Sequence, residues 1–204
     1  MYPLRDMYGN LAGFSGGATT PGVWPKYKVY QGRQRRLDGK VEPGDFGPWF
    51  DEDRELANYV CKNHDFLWNF DQVWPRIIDD NSTTLYIVEG FKACMWMLQN
   101  GFENTVALMG SYISERQQYM IHRLGCTIAV CLDNDAPGRR AAFTVADLLW
   151  RPMHGKIKVM VYPEGDDNTQ PDDYEREAIQ QLALNAVPFV SYVNMIRKGQ
   201  IQWQ

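Results

Sequence analysis

From residue 83 to residue 162 the chain alternates short apolar runs with longer segments of helical character, and this alternation predicts four strands and three intervening helices. The strands fall at 84–88, 105–108, 127–132 and 156–162, the helices at 91–99, 114–124 and 137–150. Asn100-Gly101 closes the first helix, Ser114 caps the second and Gly125 ends it, and Pro137 opens the third where its missing N–H costs nothing. Strands that alternate with helices in this way predict an α/β fold, a Rossmann-like parallel four-stranded sheet flanked by helices. Residues 172–185 read as a further helix in a C-terminal tail.

The first part of the chain reads differently. Gly16-Gly17, Pro21-Gly22, Pro43-Gly44 and Gly47-Pro48 are turn signals, with strands expected over 8–14 and 27–30 and a helix over 52–63. Trp68, Phe70 and Trp74 are bulky anchors that suggest packing onto a larger body. The expected division is a small N-terminal α+β lobe over 1–78 and the α/β domain with its helical tail over 79–204.

Composition adds exclusions. With 45% hydrophobic and 23% charged residues, the 204-residue chain has too much apolar material for disorder and fits one domain plus a small lobe. No apolar run approaches the roughly 20 residues of a membrane span, and no basic segment followed by an apolar one opens the chain, so a cytoplasmic protein is expected. Cys61, Cys94, Cys126 and Cys131 show no C-x-x-C spacing and read as buried small hydrophobes, not as zinc ligands or disulfides. His64, His122 and His154 are scattered without partners at ligand spacing.

The net charge of −4 disfavours a polyanion partner until its distribution is considered. Residues 26–40 carry six bases and one acid, whereas residues 161–177 carry seven acids and one base. One molecule thus offers a site for phosphates and a site for cations.

In open parallel sheets ligands bind beyond the carboxyl ends of the strands. There the sequence places Glu89-Gly90, Met109-Gly110-Ser111, Asp133-Asn134-Asp135 and Pro163-Glu164-Gly165-Asp166-Asp167, so three of the four predicted strand ends deliver carboxylates to one rim. Gathered carboxylates repel unless a cation neutralises them. Oxygen donors without nearby His or Cys favour Mg²⁺ or Mn²⁺ over zinc. Asp133 and Asp135, at i and i+2, can lean to one side and share an ion. Gly138 sits at a helix start, where free N–H groups favour anions.

The ordered set of these motifs resembles the topoisomerase-primase (TOPRIM) domain in its DnaG-type primase form. The carriers are Val88-Glu89-Gly90, Val106 to Ser111 with Ser114-x-x-Gln117, and Leu132-Asp133-Asn134-Asp135-x-x-Gly138-Arg139-x-Ala141-Ala142. Pro163-x-Gly165-x-Asp167 and Pro171-Asp172-Asp173-Tyr174 look like its closing acidic motif, and Pro3-Leu4-Arg5-Asp6-x-x-Gly9, Gly13-Phe14 and Pro25-Lys26-Tyr27 resemble the lobe that precedes it. The pattern departs at Ala93, where a second acid is usual, and at Gly17, where Arg often stands.

The resemblance implies template-directed synthesis of short RNA primers from NTPs on single-stranded DNA, with Mg²⁺ or Mn²⁺. Glu89, Asp133 and Asp135 would be catalytic and metal-holding, with Asp167 or Asp172 a further ligand. Lys26, Tyr27, Lys28, Arg33, Arg35, Arg36 and Arg139 would contact nucleic acid or nucleotide. A replicative helicase or a separate zinc-binding module is the expected partner, since the sequence holds no Cys/His module and no G-x-x-x-x-G-K-[ST] loop. The reduced size resembles a phage or mobile-element version acting in a bacterial host's cytoplasm. A TOPRIM-type nuclease and a nucleic-acid-binding module without activity are the competing readings.

Overall fold

The computed structural model describes residues 1–17, 27–30, 66–80, 82–153 and 155–201, with the backbone alone for 17 and 27–30. Two sheets organise the described residues. β1 (Tyr2–Arg5), β2 (Leu11–Gly17) and β3 (Tyr27–Tyr30) form an antiparallel three-stranded sheet in sequential order. The second sheet has the order β5-β4-β6-β7-β8, from β4 (Thr84–Val88), β5 (Thr105–Ala107), β6 (Thr127–Val130), β7 (Ile157–Val159) and β8 (Val187–Pro188). Its first four members pair in parallel, as expected.

β8 corrects the expectation of four strands, because it adds a fifth, antiparallel to β7. A two-residue strand has no alternation to betray it. Pro188, which lacks an N–H, is tolerated because the strand is an edge.

The helices α1 (Phe70–Asp79), α2 (Phe91–Gln99), α3 (Glu115–His122), α4 (Ala136–Met153), α5 (Arg176–Leu184) and α6 (Phe189–Arg197) cover both faces of this sheet. Period-two alternation assigns the faces. Leu85, Ile87, Ile128, Val130, Ile157 and Val159 meet α1, α3, α4 and α6 in one core cluster. Val88, Ala129, Cys131 and Met160 meet α2 and α5 in another. Strands buried on both faces read as continuous apolar runs, which is why 127–132 was legible as a strand.

The predicted 172–185 helix is two elements. Pro171–Asp173 forms a 3-10 turn closed by a reciprocal Gln170–Asp173 capping box, Tyr174 is extended, and α5 starts only at Arg176. The expected 8–14 strand begins instead inside a turn. Asp6 Oδ1 accepts hydrogen bonds from the Tyr8 and Asn10 N–H groups, and Gly9 takes a φ of 86° that suits glycine. α1, which the sequence reading assigned to the lobe, buries Phe70, Val73 and Ile77 against the parallel sheet. The expected 52–63 helix lies outside the described residues.

The N-terminal sheet docks beside the start of α2. Leu4, Phe66 and Phe91 form a small core of their own. The Tyr2 ring stacks on Phe91 at 4.4 Å between centroids, and Trp68 Nε1 donates to the Pro3 carbonyl at 3.0 Å. Cys94, Cys126 and Cys131 are buried free thiols, and burial pushes that of Cys131 up to about 12, which leaves it inert as the sequence reading expects. Among the described residues no helix is long and apolar enough to cross a membrane.

Gln117 is the polar clasp of the α3 face. Fully buried, it donates from Nε2 to the carbonyls of Phe66 (2.6 Å) and Leu108 (3.0 Å), and its Oε1 accepts from the Ser114 N–H (2.9 Å). Gln117→Leu keeps the bulk but strands these backbone groups, so a loss of roughly 2–4 kcal/mol is expected. A urea midpoint equal to that of the wild type would refute this role.

Candidate active site

β4 lies between β5 and β6, so the strand order reverses at β4, and the crevice at such a reversal is where open α/β sheets bind ligands. Glu89 leaves the end of β4 and Asp133 to Asp135 leave the end of its neighbour β6. The parallel register Ile87↔Val130 brings Glu89 level with Leu132, one residue short of Asp133. Two of the predicted acidic groups thus issue from adjacent strand ends.

The turn from Asp133 to Gly138 is built by its own sequence. Asp135 Oδ1 accepts from the Gly138 N–H at 2.6 Å, which caps α4 in the first turn. At Gly138 a Cβ would collide with the Asp133 carbonyl oxygen and stand 2.8 Å from Asp135 Oδ1, so only glycine permits the helix to start this close to the strand end.

Asn134, which the sequence reading passed over as the middle of Asp-x-Asp, fastens this turn to the acidic loop. Its N–H donates to the Thr169 carbonyl (2.8 Å), its Nδ2 to the Asp166 carbonyl (2.7 Å), and its own carbonyl accepts from the Asn168 N–H (3.1 Å). Arg139 Nη1 donates to the Asn134 carbonyl (2.7 Å) and pairs with Asp167 Oδ1 (2.9 Å). The Arg139 side chain is 13% exposed, so this predicted nucleotide contact is engaged within the loop network.

Asp167 stands 68% exposed on the loop, whereas the Asp172 side chain is 3% exposed and lies 2.6 Å through Oδ2 from Lys92 Nζ. Tyr162 lies between the two acidic segments. Its hydroxyl donates to the Leu132 carbonyl at 2.8 Å, and burial together with the charges of Asp133 and Asp172 raises its phenol well above the usual range. Tyr174 donates to Asp166 Oδ2 at 2.9 Å, and burial and that carboxylate raise its phenol to about 12. Both rings therefore stay protonated as donors at any physiological pH. A cavity of about 540 Å³ opens beside Asp133 and reaches Arg139, Tyr162, Glu164, Tyr192 and Met195.

Among the described residues no three His, Cys, Asp or Glu side chains already surround a common point at ligand distance. The donor chemistry nevertheless fits Mg²⁺, which binds through one or two carboxylates and substrate phosphates, not through a closed protein cage. Nearby, Asp172 is a buried carboxylate whose Oδ1 meets no hydrogen-bond donor among the described residues. Of the predicted nucleic-acid contacts, Lys26, Arg33, Arg35 and Arg36 lie outside the described residues, as do the side chains of Tyr27 and Lys28 on β3. Lys92, Asn134 and Tyr162 were missed because no spacing rule marks a residue whose partners are distant backbone groups or a single carboxylate.

A Toprim-like family model matches residues 86–174. The chain is 28% identical over 187 residues to a DNA primase of Enterococcus faecalis, covering 90% of this chain and 26% of that protein. It is 30% identical over 175 residues to a DNA primase of Halalkalibacterium halodurans, covering 85% and 24%. The chain thus spans about a quarter of the length of the curated relatives it matches. Among solved structures it is similar to the Aquifex aeolicus primase, zinc-binding and RNA polymerase domains, with a TM-score of 0.67 at 20% identity over 96% of this chain and 42% of that one. It is also similar to a DnaG primase catalytic domain bound to single-stranded DNA, with a TM-score of 0.68 at 20% identity over 99% and 56%.

Proposed function

Because residues 86–174 form a TOPRIM-like domain in a chain similar to the catalytic core of DnaG-type primases, we propose that this protein joins ribonucleotides into short primers on a single-stranded DNA template, with Mg²⁺ or Mn²⁺ as its cofactor. The observation that carries this reading is the departure of Glu89 and of Asp133-x-Asp135 from adjacent parallel strands at the reversal of strand order.

A divalent ion, when bound, neutralises the triphosphate and favours departure of pyrophosphate. Asp133, Asp135 and Glu89 would hold it, with Asp167 and Asp172 completing the acidic rim. Glu89 is also suited to take the proton of the attacking hydroxyl. Tyr162 and Asn134 keep the two acidic segments together, so that the carboxylates meet the substrate in a fixed arrangement. Lys26, Tyr27, Lys28, Arg33, Arg35 and Arg36 would supply sequence-independent contacts to template phosphates, a contribution that weakens steeply with salt. A replicative helicase and a zinc-binding module are the partners this reading calls for, in a bacterial host's cytoplasm.

The test is incubation with labelled NTPs, single-stranded template and Mn²⁺ or Mg²⁺. Template-dependent oligoribonucleotides are expected. Degradation of the template would replace the reading with a nuclease, and binding without synthesis or degradation would replace it with a non-catalytic module.

A further inference from the structure

A carboxylate excluded from water is costly unless a counter-charge accompanies it. Asp172 is such a group, since its side chain is 3% exposed. Among the described residues neither of its oxygens meets an aligned hydrogen-bond donor, and a contact of 2.6 Å between Oδ2 and Lys92 Nζ brings a charge that compensates its burial. Two anchors hold this pair in place. Lys92 occupies the first turn of α2 immediately after the buried Phe91, and Trp96 Nε1, one turn further along, donates to the Tyr174 carbonyl at 3.0 Å, two residues past Asp172. Pro171 is buried beside it. The helix that follows Glu89 is therefore fastened to the 3-10 turn that carries Asp172.

We propose that Lys92 is a resident counter-ion of the acidic rim: its ammonium fills at Asp172 the role of a divalent cation, so Asp172 is held by the protein and is not a metal ligand. The proposal rests on the reading of Glu89, Asp133 and Asp135 as the metal site, and extends it to how many ions that site takes. Lys92 is a positioning residue in this account. Its 71% exposed side chain can be shortened or neutralised without opening the core.

The measurement is the number of Mn²⁺ ions bound per full-length chain at saturation, by electron paramagnetic resonance or titration calorimetry without nucleotide. Lys92→Met is expected to bind one more Mn²⁺ than the wild type, and to melt several degrees lower in EDTA but not in excess Mn²⁺. The double variant K92M/D172N is expected to lose that additional ion. Asp172→Asn alone is expected to keep the wild-type number. An unchanged count in Lys92→Met, or an ion lost in Asp172→Asn, would overturn the proposal. Primer synthesis is read in a separate assay on the wild type, so its failure would sink the primase reading and leave the ion count standing.

Discussion

Asp135→Asn is expected to lose primer synthesis by about two orders of magnitude or more, the scale of removing one charged stabiliser from a phosphoryl-transfer site, while unfolding at the wild-type temperature. The substitution is chosen because Asp135 has two roles. Its Oδ1 accepts from the Gly138 N–H and caps α4, and an N-cap lost to alanine costs about 1 kcal/mol. Asparagine caps as well as aspartate but carries no charge, so it isolates the electrostatic role. Asp135→Ala should lose both activity and a few degrees of stability. Near-normal synthesis by Asp135→Asn, measured at saturating NTP and Mn²⁺, would remove Asp135 from the metal site.

Gly138→Ala should damage stability and activity together. Alanine in a helix is ordinarily better than glycine by about 0.5–1 kcal/mol. Here the added Cβ would collide with the Asp133 carbonyl oxygen and lie 2.8 Å from the carbonyl carbon, neither of which can rotate away. The start of α4 must then move from the end of β6, and overpacking of this kind costs roughly 1–3 kcal/mol. The expected sign is therefore net destabilisation. Because the displaced turn carries both Asp133 and Asp135, a shift of about 1 Å suffices for a loss near 100-fold in synthesis. The check is a thermal melt alongside the primer assay, and an alanine variant at least as stable as the wild type would refute the close approach.

The parallel half of the fold was legible because each strand is buried on both faces and each helix announces its start or stop. Thr84–Val88 and Phe91–Gln99 fall where the pattern of residues puts them. The position of Glu89, Asp133 and Asp135 just past adjacent strand ends was legible for the same reason: where a parallel strand ends fixes where the residues that follow it stand. What escaped depends on contacts made across the chain. β8 exists because β7 offers an edge to two residues 28 positions further on. Asn134 looks like a spacer until the Asp166 and Thr169 carbonyls arrive from the far side of β7. Lys92 is an ordinary surface lysine of a helix first turn until the 3-10 turn sets Asp172 beside it. Local pattern encodes elements and their ends, whereas pairings of single polar groups are set by tertiary approach.

The stack of Tyr2 on Phe91 also sets a schedule for synthesis on the ribosome. Its two rings are 89 positions apart in the chain. At about 5–20 residues per second, the apolar side of the first strand, Leu4 included, emerges roughly 4–18 s before the helix that covers it. The hairpin of the first two strands can close at once through the Asp6 turn, but its inner face stays wet for that interval. A nascent chain halted before residue 91 would therefore present Tyr2 and Leu4 to chaperones, and release of that hold would coincide with the emergence of the segment that also brings Glu89.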